Sequence, residues 1–221
     1  MFRLLAISER KSLPEGGLPS WLRALAEAGV DGVQIREKDL DDRALFDLTQ
    51  AARGILPPAT ALLVNGRLDV ALAACAPGTT GGTLGVHLPV DGVPLAPLRE
   101  RFGQAVLLGR STHSLEEAER AVRDGADYVT FGPVYATPSK AAYGPPVGLE
   151  ALGRAARLGI PVYALGGVTL SRFGELAAAG AAGVAAIRLF QAPSDLREIV
   201  RSAREHFPPG GGTTGEPVCE Q

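Results

Sequence analysis

The sequence predicts a single-domain (β/α)8 TIM barrel, on three observations. Short apolar runs (DGVQI, ALLV, LGV, AVLLG, DYVTF, VYAL and GVAAI) alternate with stretches rich in Ala, Leu, Arg and Glu at helical spacing. The runs recur roughly every 20–30 residues, as a βα repeat requires. Residues able to do chemistry follow those runs one after another, at Arg36–Lys38, Asn65, His87, Ser111–His113, Gly132–Lys140, Gly166–Gly167 and Arg188. In a closed parallel barrel the C-terminal strand ends open onto one face, where such enzymes build their sites. Third, aliphatic residues dominate and aromatics make up 5%, which suits parallel strands buried on both faces.

Strand 1 is RLLAIS (3–8), followed by a helix from about Pro19 to Ala28 that Gly29 closes. Strand 2 is DGVQIRE, with a helix from about Asp41 to Arg53, and strand 3 is ALLV, followed by LDVALAACA. Strand 4 is LGVHL, with a short helix near Leu95–Arg101. Strand 5 is QAVLLG, and Ser114 with Glu117 three residues on forms a capping box for the next helix. Strand 6 is DYVTF; a long loop runs to about Pro146 before a helix that ends near Leu158. Strand 7 is PVYALG, with a helix capped by Thr169 or Ser171, and strand 8 is GVAAI, with a helix from about Ser194 to Phe207. The pairs in AGVDGV, DGADYV and AGAAGV share one logic: Gly ends a helix and the next strand starts at once. The barrel should span 1–207. Residues 208–221, PPGGGTTGEPVCEQ, have no apolar period and are expected to be disordered.

With 221 residues and a formal charge of −2, the chain has length for one large core and no basic tract that suggests nucleic acid. Cys75 and Cys219 make no disulfide framework, and Cys75 reads as a small buried residue among alanines. No apolar run approaches the ~20 residues of a membrane span. MFRLLAIS is too short for a signal peptide, so a soluble cytosolic protein is expected. Oligomeric state stays open, a homo-oligomer included.

Gly166 and Gly167 follow strand 7, where a glycine turn exposes backbone N–H groups to an anion. Arg188, at the exit of strand 8, offers a counter-charge. In QIREK, Gln34, Arg36 and Lys38 share one face. Two cations there suit a phosphate or a carboxylate, or else an internal salt bridge to Glu37, Asp39 or Asp41. Asn65 either bonds a heterocycle edge or caps the next helix. Of three histidines, His206 reads as a surface residue and His87 as either mouth or core. His113, two residues past Ser111, is either a proton carrier near neutral pH or a cap for the following helix.

Taken in order over residues 2–205, VQIREK, VNGRLDVAL, LGRSTHSLEEAERA, ADYVTFGPVYATPSK and PVYALGG resemble the thiamine phosphate synthase/TenI superfamily. That resemblance implies a barrel of thiamine biosynthesis that handles a thiazole phosphate. Members either couple it to a pyrimidine diphosphate or isomerise it. In the synthases an NDR pattern after strand 3 and an HxGQxD pattern after strand 4 supply Asp ligands for magnesium and pyrophosphate. Here the text is Asn65-Gly66-Arg67 and His87-Leu88-Pro89-Val90-Asp91-Gly92. A magnesium site needs hard oxygen ligands, so the resemblance is to TenI-type thiazole tautomerases, with no cofactor. Magnesium would enter only if the chain were a synthase. By that resemblance His113 transfers the proton, and Gly166, Gly167, Ile187 and Arg188 hold the phosphate. Gln34, Arg36, Lys38, Asn65, Ser111, Thr137 and Lys140 line the same mouth. Strand 8 departs from the usual Ser-Gly ending with Ile187-Arg188-Leu189. The alternatives are the synthase itself and a non-catalytic regulator that binds thiamine intermediates.

Overall fold

A computed structural model describes residues 1–13, 17–74, 83–137, 145–192 and 195–207. Strands β1 (Leu4–Ile7), β2 (Gly32–Ile35), β3 (Ala61–Asn65), β4 (Leu84–Leu88), β5 (Leu107–Thr112), β6 (Tyr128–Phe131), β7 (Val162–Leu165) and β8 (Gly183–Ala186) close into one barrel in sequence order. Every neighbouring pair is parallel, and β8 pairs back to β1. Helices α1 (Gly17–Ala28), α2 (Asp42–Ile55), α3 (Leu68–Ala73), α4 (Leu95–Phe102), α5 (Leu115–Arg123), α6 (Gly148–Ala155), α7 (Phe173–Ala178) and α8 (Leu196–His206) follow the strands in turn. The (β/α)8 fold is therefore the one the alternation predicts. No described helix is long and apolar enough to cross a membrane.

Strand alternation sorts the core into two layers. Val33, Ile35, Leu62, Val64, Val86, Leu108, Val129 and Val184 pack outward with the helices. Leu5, Ile7, Leu63, Tyr128, Tyr163 and Ala185 fill the barrel, with Phe2 at its base. Phe2 stacks on Tyr163 at 4.6 Å and meets Tyr128 edge-on at 5.1 Å. Tyr163 donates its hydroxyl to the Phe2 carbonyl at 2.7 Å. The barrel interior at the N-terminal end is thus plugged with aromatic rings.

Two aspartates in the Gly-to-strand repeats have a purpose that the sequence reading missed. Asp31 accepts the Leu4 and Arg3 N–H groups, each at 2.9 Å. Asp127 accepts the Leu108 N–H and the Arg99 guanidinium, both at 2.6 Å. Each carboxylate ties the start of its strand to a neighbouring strand, which pins register at the closed end.

Three boundaries differ from expectation. Strand 5 does not end at Gly109 but runs through Thr112. Gly109 lies inside it because the Tyr128 ring fills the space, and a Cβ there would sit 2.1 Å from Tyr128 Cζ. Strand 2 ends at Ile35, so Arg36 and Lys38 belong to its exit loop. After Gly167 a 3-10 turn at Leu170–Arg172 precedes the short α7, and neither Thr169 nor Ser171 makes a side-chain cap to it. Cys75, Lys140, Ser194, Cys219 and the 208–221 tail lie outside the described residues.

Candidate active site

Inward-facing side chains at the ends of β2 to β6 form a polar arc: Gln34, Asn65, His87, Ser111 and Thr130. Asn65 is the register partner of His87, and Ser111 that of Thr130. Gln34 donates from Nε2 to Asn65 Oδ1 at 2.9 Å. Gln34 is 1% exposed, and its Oε1 has no hydrogen-bond partner. Buried polar atoms are rarely left so, which marks this floor as a place for a ligand or water. Asn65 therefore faces the mouth and is not a cap for α3, whose first turn has no side-chain cap.

His87 is 2% exposed. Its Nδ1 lies 2.9 Å from the Tyr128 hydroxyl and its Nε2 2.9 Å from Ser111 Oγ. Burial, with the nearby Arg110 and Arg36 guanidinium charges, pushes its pKa down to about 3. The ring is thus neutral and bound at both nitrogens. It forms the floor of the mouth and is not free in it.

His113 is different. Its backbone N–H donates to the Glu117 carboxylate at 2.6 Å, while Ser114 Oγ accepts the Glu117 N–H at 3.2 Å. The backbone, not the imidazole, serves the start of α5. The imidazole turns across to β6, where Nδ1 meets the Gly132 carbonyl. A carbonyl only accepts, so Nδ1 carries the proton in the neutral ring and Nε2 presents a lone pair. Held this way, the half-buried imidazole keeps Nε2 without a hydrogen-bond partner among the described residues.

The cations at the strand-2 exit sort cleanly. Glu37, buried, accepts from Ser8 Oγ at 2.6 Å and from the Arg10 backbone and guanidinium. Asp39 pairs with Arg10 and Lys11, and Asp41 caps α2 through the Ala44 N–H at 2.8 Å. None of these acids takes Arg36, so the internal salt bridge weighed from the sequence does not form. Among the described residues the half-buried Arg36 guanidinium and the exposed Lys38 have no ion-pair partner. Lys38 lines a cleft of about 210 Å³ with Ile35, Leu40, Asn65, Gly66 and Arg67.

At the β7 exit, Gly166 (φ 93°) and Gly167 (φ 65°) take left-handed conformations. A Cβ would lie 2.5 Å from Pro133 Cβ at the first and 2.7 Å from Tyr135 Cβ at the second. Tyr135 N–H donates to the Gly166 carbonyl, and Arg172 donates to the Gly167 carbonyl while its guanidinium stacks 3.9 Å from the Tyr135 ring. With their carbonyls engaged, neither glycine N–H has an acceptor among the described residues. What this exit offers is thus turn N–H groups rather than a helix start, since α7 begins only at Phe173. Arg188 is exposed and opens a 3-10 turn after β8; among the described residues it has no ion pair. Ile187 packs its side chain on the barrel interior. Thr137 is half-buried in the β6 exit loop.

The β3 and β4 exits do not fit a magnesium–pyrophosphate site. The Asn65 side-chain oxygen already accepts from Gln34. Gly66 stands where the NDR pattern has its Asp, and Arg67, which that pattern shares, pairs with Asp42 and Asp69. The exposed Asp91 sits on a loop whose Pro89 and Val93 carbonyls both accept from the Arg110 guanidinium at 2.6 Å. The described residues contain no cluster of three or more His, Cys, Asp or Glu suited to a metal. Arg110 was not foreseen as part of this loop; only its outward position in the strand alternation marks it.

The sequence pattern of the family described as thiamine monophosphate synthase matches residues 4–190. A Geobacter sulfurreducens protein that carries thiamine-phosphate synthase as a provisional name is 44% identical, over 94% of this chain and 95% of its own length. Thiamine-phosphate synthases of Roseiflexus castenholzii and Methanoculleus marisnigri are 39% and 40% identical, covering 82% and 84% of this chain and 77% and 85% of their own. The solved thiamine phosphate pyrophosphorylase of Pyrococcus furiosus superposes with a TM-score of 0.75 at 29% identity, over 92% of this chain and 97% of that one. By family pattern, identity and coverage together, the chain belongs to the thiamine monophosphate synthase family.

Proposed function

We propose that this chain is an enzyme of thiamine biosynthesis that binds a thiazole phosphate at the barrel mouth and moves a proton on its ring. The substrate is a non-aromatic carboxythiazole phosphate tautomer and the product its aromatic form. The names of the relatives favour the superfamily's other reaction, coupling of thiazole phosphate to a pyrimidine diphosphate. On comparison alone, a transferase is better supported than an isomerase. The observation that carries proton transfer is His113, with Nδ1 committed to the Gly132 carbonyl and the Nε2 lone pair left over to act as a base. Beside it, the strand-3 and strand-4 exits lack the carboxylate set that coupling with magnesium asks for.

In this reading His113 Nε2 takes a proton from one ring position. The imidazolium keeps its Nδ1–H on the Gly132 carbonyl and returns a proton to another position. Arg36 meets the carboxylate, with Lys38 at the rim, and Gln34, Asn65, Ser111 and Thr137 line the ring. The Gly166 and Gly167 N–H groups, the Ile187 backbone and Arg188 hold the phosphate. No metal or redox partner takes part in the step.

Two assays on purified protein decide. Tautomer conversion should proceed unchanged in EDTA, and coupling to pyrimidine diphosphate should stay at background with excess magnesium. Robust thiamine phosphate formation would establish the synthase and overturn the isomerase. Ligand binding with neither reaction would leave a regulator.

A further inference from the structure

Tyr128, His87 and Ser111 form a hydrogen-bonded line from the closed interior to the mouth, and its polarity is set by donor arithmetic. Tyr128 is fully buried, and His87 Nδ1 is the sole partner of its hydroxyl among the described residues. If Nδ1 carried a proton, the tyrosine proton would be a buried donor with nowhere to go, which is costly. With Tyr128 donating to Nδ1, the neutral ring places its proton on Nε2. That proton points to Ser111 Oγ at 2.9 Å, with the Thr130 hydroxyl more distant at 3.4 Å. Ser111 then has its own proton left to give. It is half-buried at the mouth, and the charge of Arg36, which has no ion pair among the described residues, reaches the His87 ring that Ser111 bonds.

We propose that Tyr128 and His87 are positioning residues that fix Ser111 as a hydrogen-bond donor into the mouth, aimed with Arg36 at an anionic acceptor of the ligand such as a carboxylate. The carboxylate identity rests on the function proposed above; the direction of the line does not. Burial keeps the tyrosine protonated and the histidine neutral across the working range, with Arg36 and Arg110 as the charges that face the ring. The device is thus fixed and carries no titrating switch.

Two measurements test it. In full-length protein labelled with ¹⁵N-histidine, long-range proton–nitrogen spectra report which ring nitrogen is protonated. His206→Gln and His113→Asn variants identify the His87 signals. Nδ1 should be bare and Nε2 protonated, unchanged from about pH 5 to about pH 8. A protonated Nδ1 would overturn the proposal, and so would a titrating ring.

The second measurement is calorimetric affinity for carboxythiazole phosphate. Ser111→Ala should weaken it roughly tenfold and Tyr128→Phe about threefold. Adding Tyr128→Phe to Ser111→Ala should cost nothing further. An equal loss in both backgrounds would show that the tyrosine acts by packing alone and refute its role. A protein that binds no carboxythiazole phosphate would sink the proposed function, while the nitrogen spectra would still decide the direction of the line.

Discussion

Lowering the pH from about 7 to about 5 should remove about 2 kcal/mol of folding stability through His87 alone. The folded ring resists protonation until about pH 3, against 6.5 for the exposed side chain. Because the folded value is depressed, the unfolded chain binds the extra proton as pH falls below 6.5. Stability is therefore whole above that value and declines toward the folded one, at up to about 1.4 kcal/mol per pH unit. Over the first two units the unfolded-state gain sums to about 2 kcal/mol, or roughly 4–8 °C in Tm for a domain of this size. Stopping at pH 5 keeps most carboxylates ionised, so Asp39 and Asp69, both held low by arginine partners, do not enter. The assay is urea unfolding at a series of pH values, for wild type and His87→Gln. Glutamine reaches Ser111 but cannot titrate, so the variant should start less stable and fall less steeply, by about 2 kcal/mol over the window. Parallel curves would show that His87 is not the buried neutral group described here.

His113→Asn should cut tautomer turnover by about 10²–10⁴-fold with little change in phosphate affinity, read from steady-state kinetics beside calorimetry. Retained turnover would move the proton to another residue. Arg188→Ala should do the reverse, weakening phosphate binding by roughly tenfold or more while the proton step at saturation holds. Arg36→Gln should raise KM for the carboxylated substrate and leave affinity for inorganic phosphate alone; an equal loss for both would place Arg36 on the phosphate instead. Gly109→Ala should lower Tm, since its Cβ would overlap the Tyr128 ring, at a cost of about 1–3 kcal/mol.

The barrel was legible because its signals are local and repeated. Each apolar run, each Gly before a strand and the Ser114 cap point to the same alternation. Where the reading slipped, a distant partner had overruled a local rule. Gly109 looked like a strand end because glycine usually punctuates a strand. It lies mid-strand because Tyr128, nineteen positions on, occupies the volume a side chain would need. Thr169 and Ser171 looked like caps, yet the glycine pair before them is packed against Pro133 and Tyr135, and the chain leaves that turn as a 3-10 segment.

Site residues were legible as positions at strand exits, but their roles depend on what each side chain is free to do. Charge counting near Arg36 left a salt bridge open. Glu37 and Asp39 instead go to Arg10, and only the fold shows that Arg36 is left over. His87 and His113 are one residue type at similar exits, and the sequence left His87 between mouth and core. The structure separates them through partners that no short motif encodes. His87 meets hydroxyls at both nitrogens and is held neutral by burial, whereas His113 meets one carbonyl through Nδ1 and has no partner at Nε2 among the described residues. The same logic bears on the reaction. The names of the relatives favour coupling, and the proposed proton transfer rests instead on a few exit residues. Where the synthase pattern places its aspartate this chain has Gly66, flanked by Asn65, which accepts from Gln34, and Arg67, which pairs with Asp42. The proposed proton transfer on an anionic ring rests on that lost carboxylate and on an Arg36 that has no ion pair among the described residues.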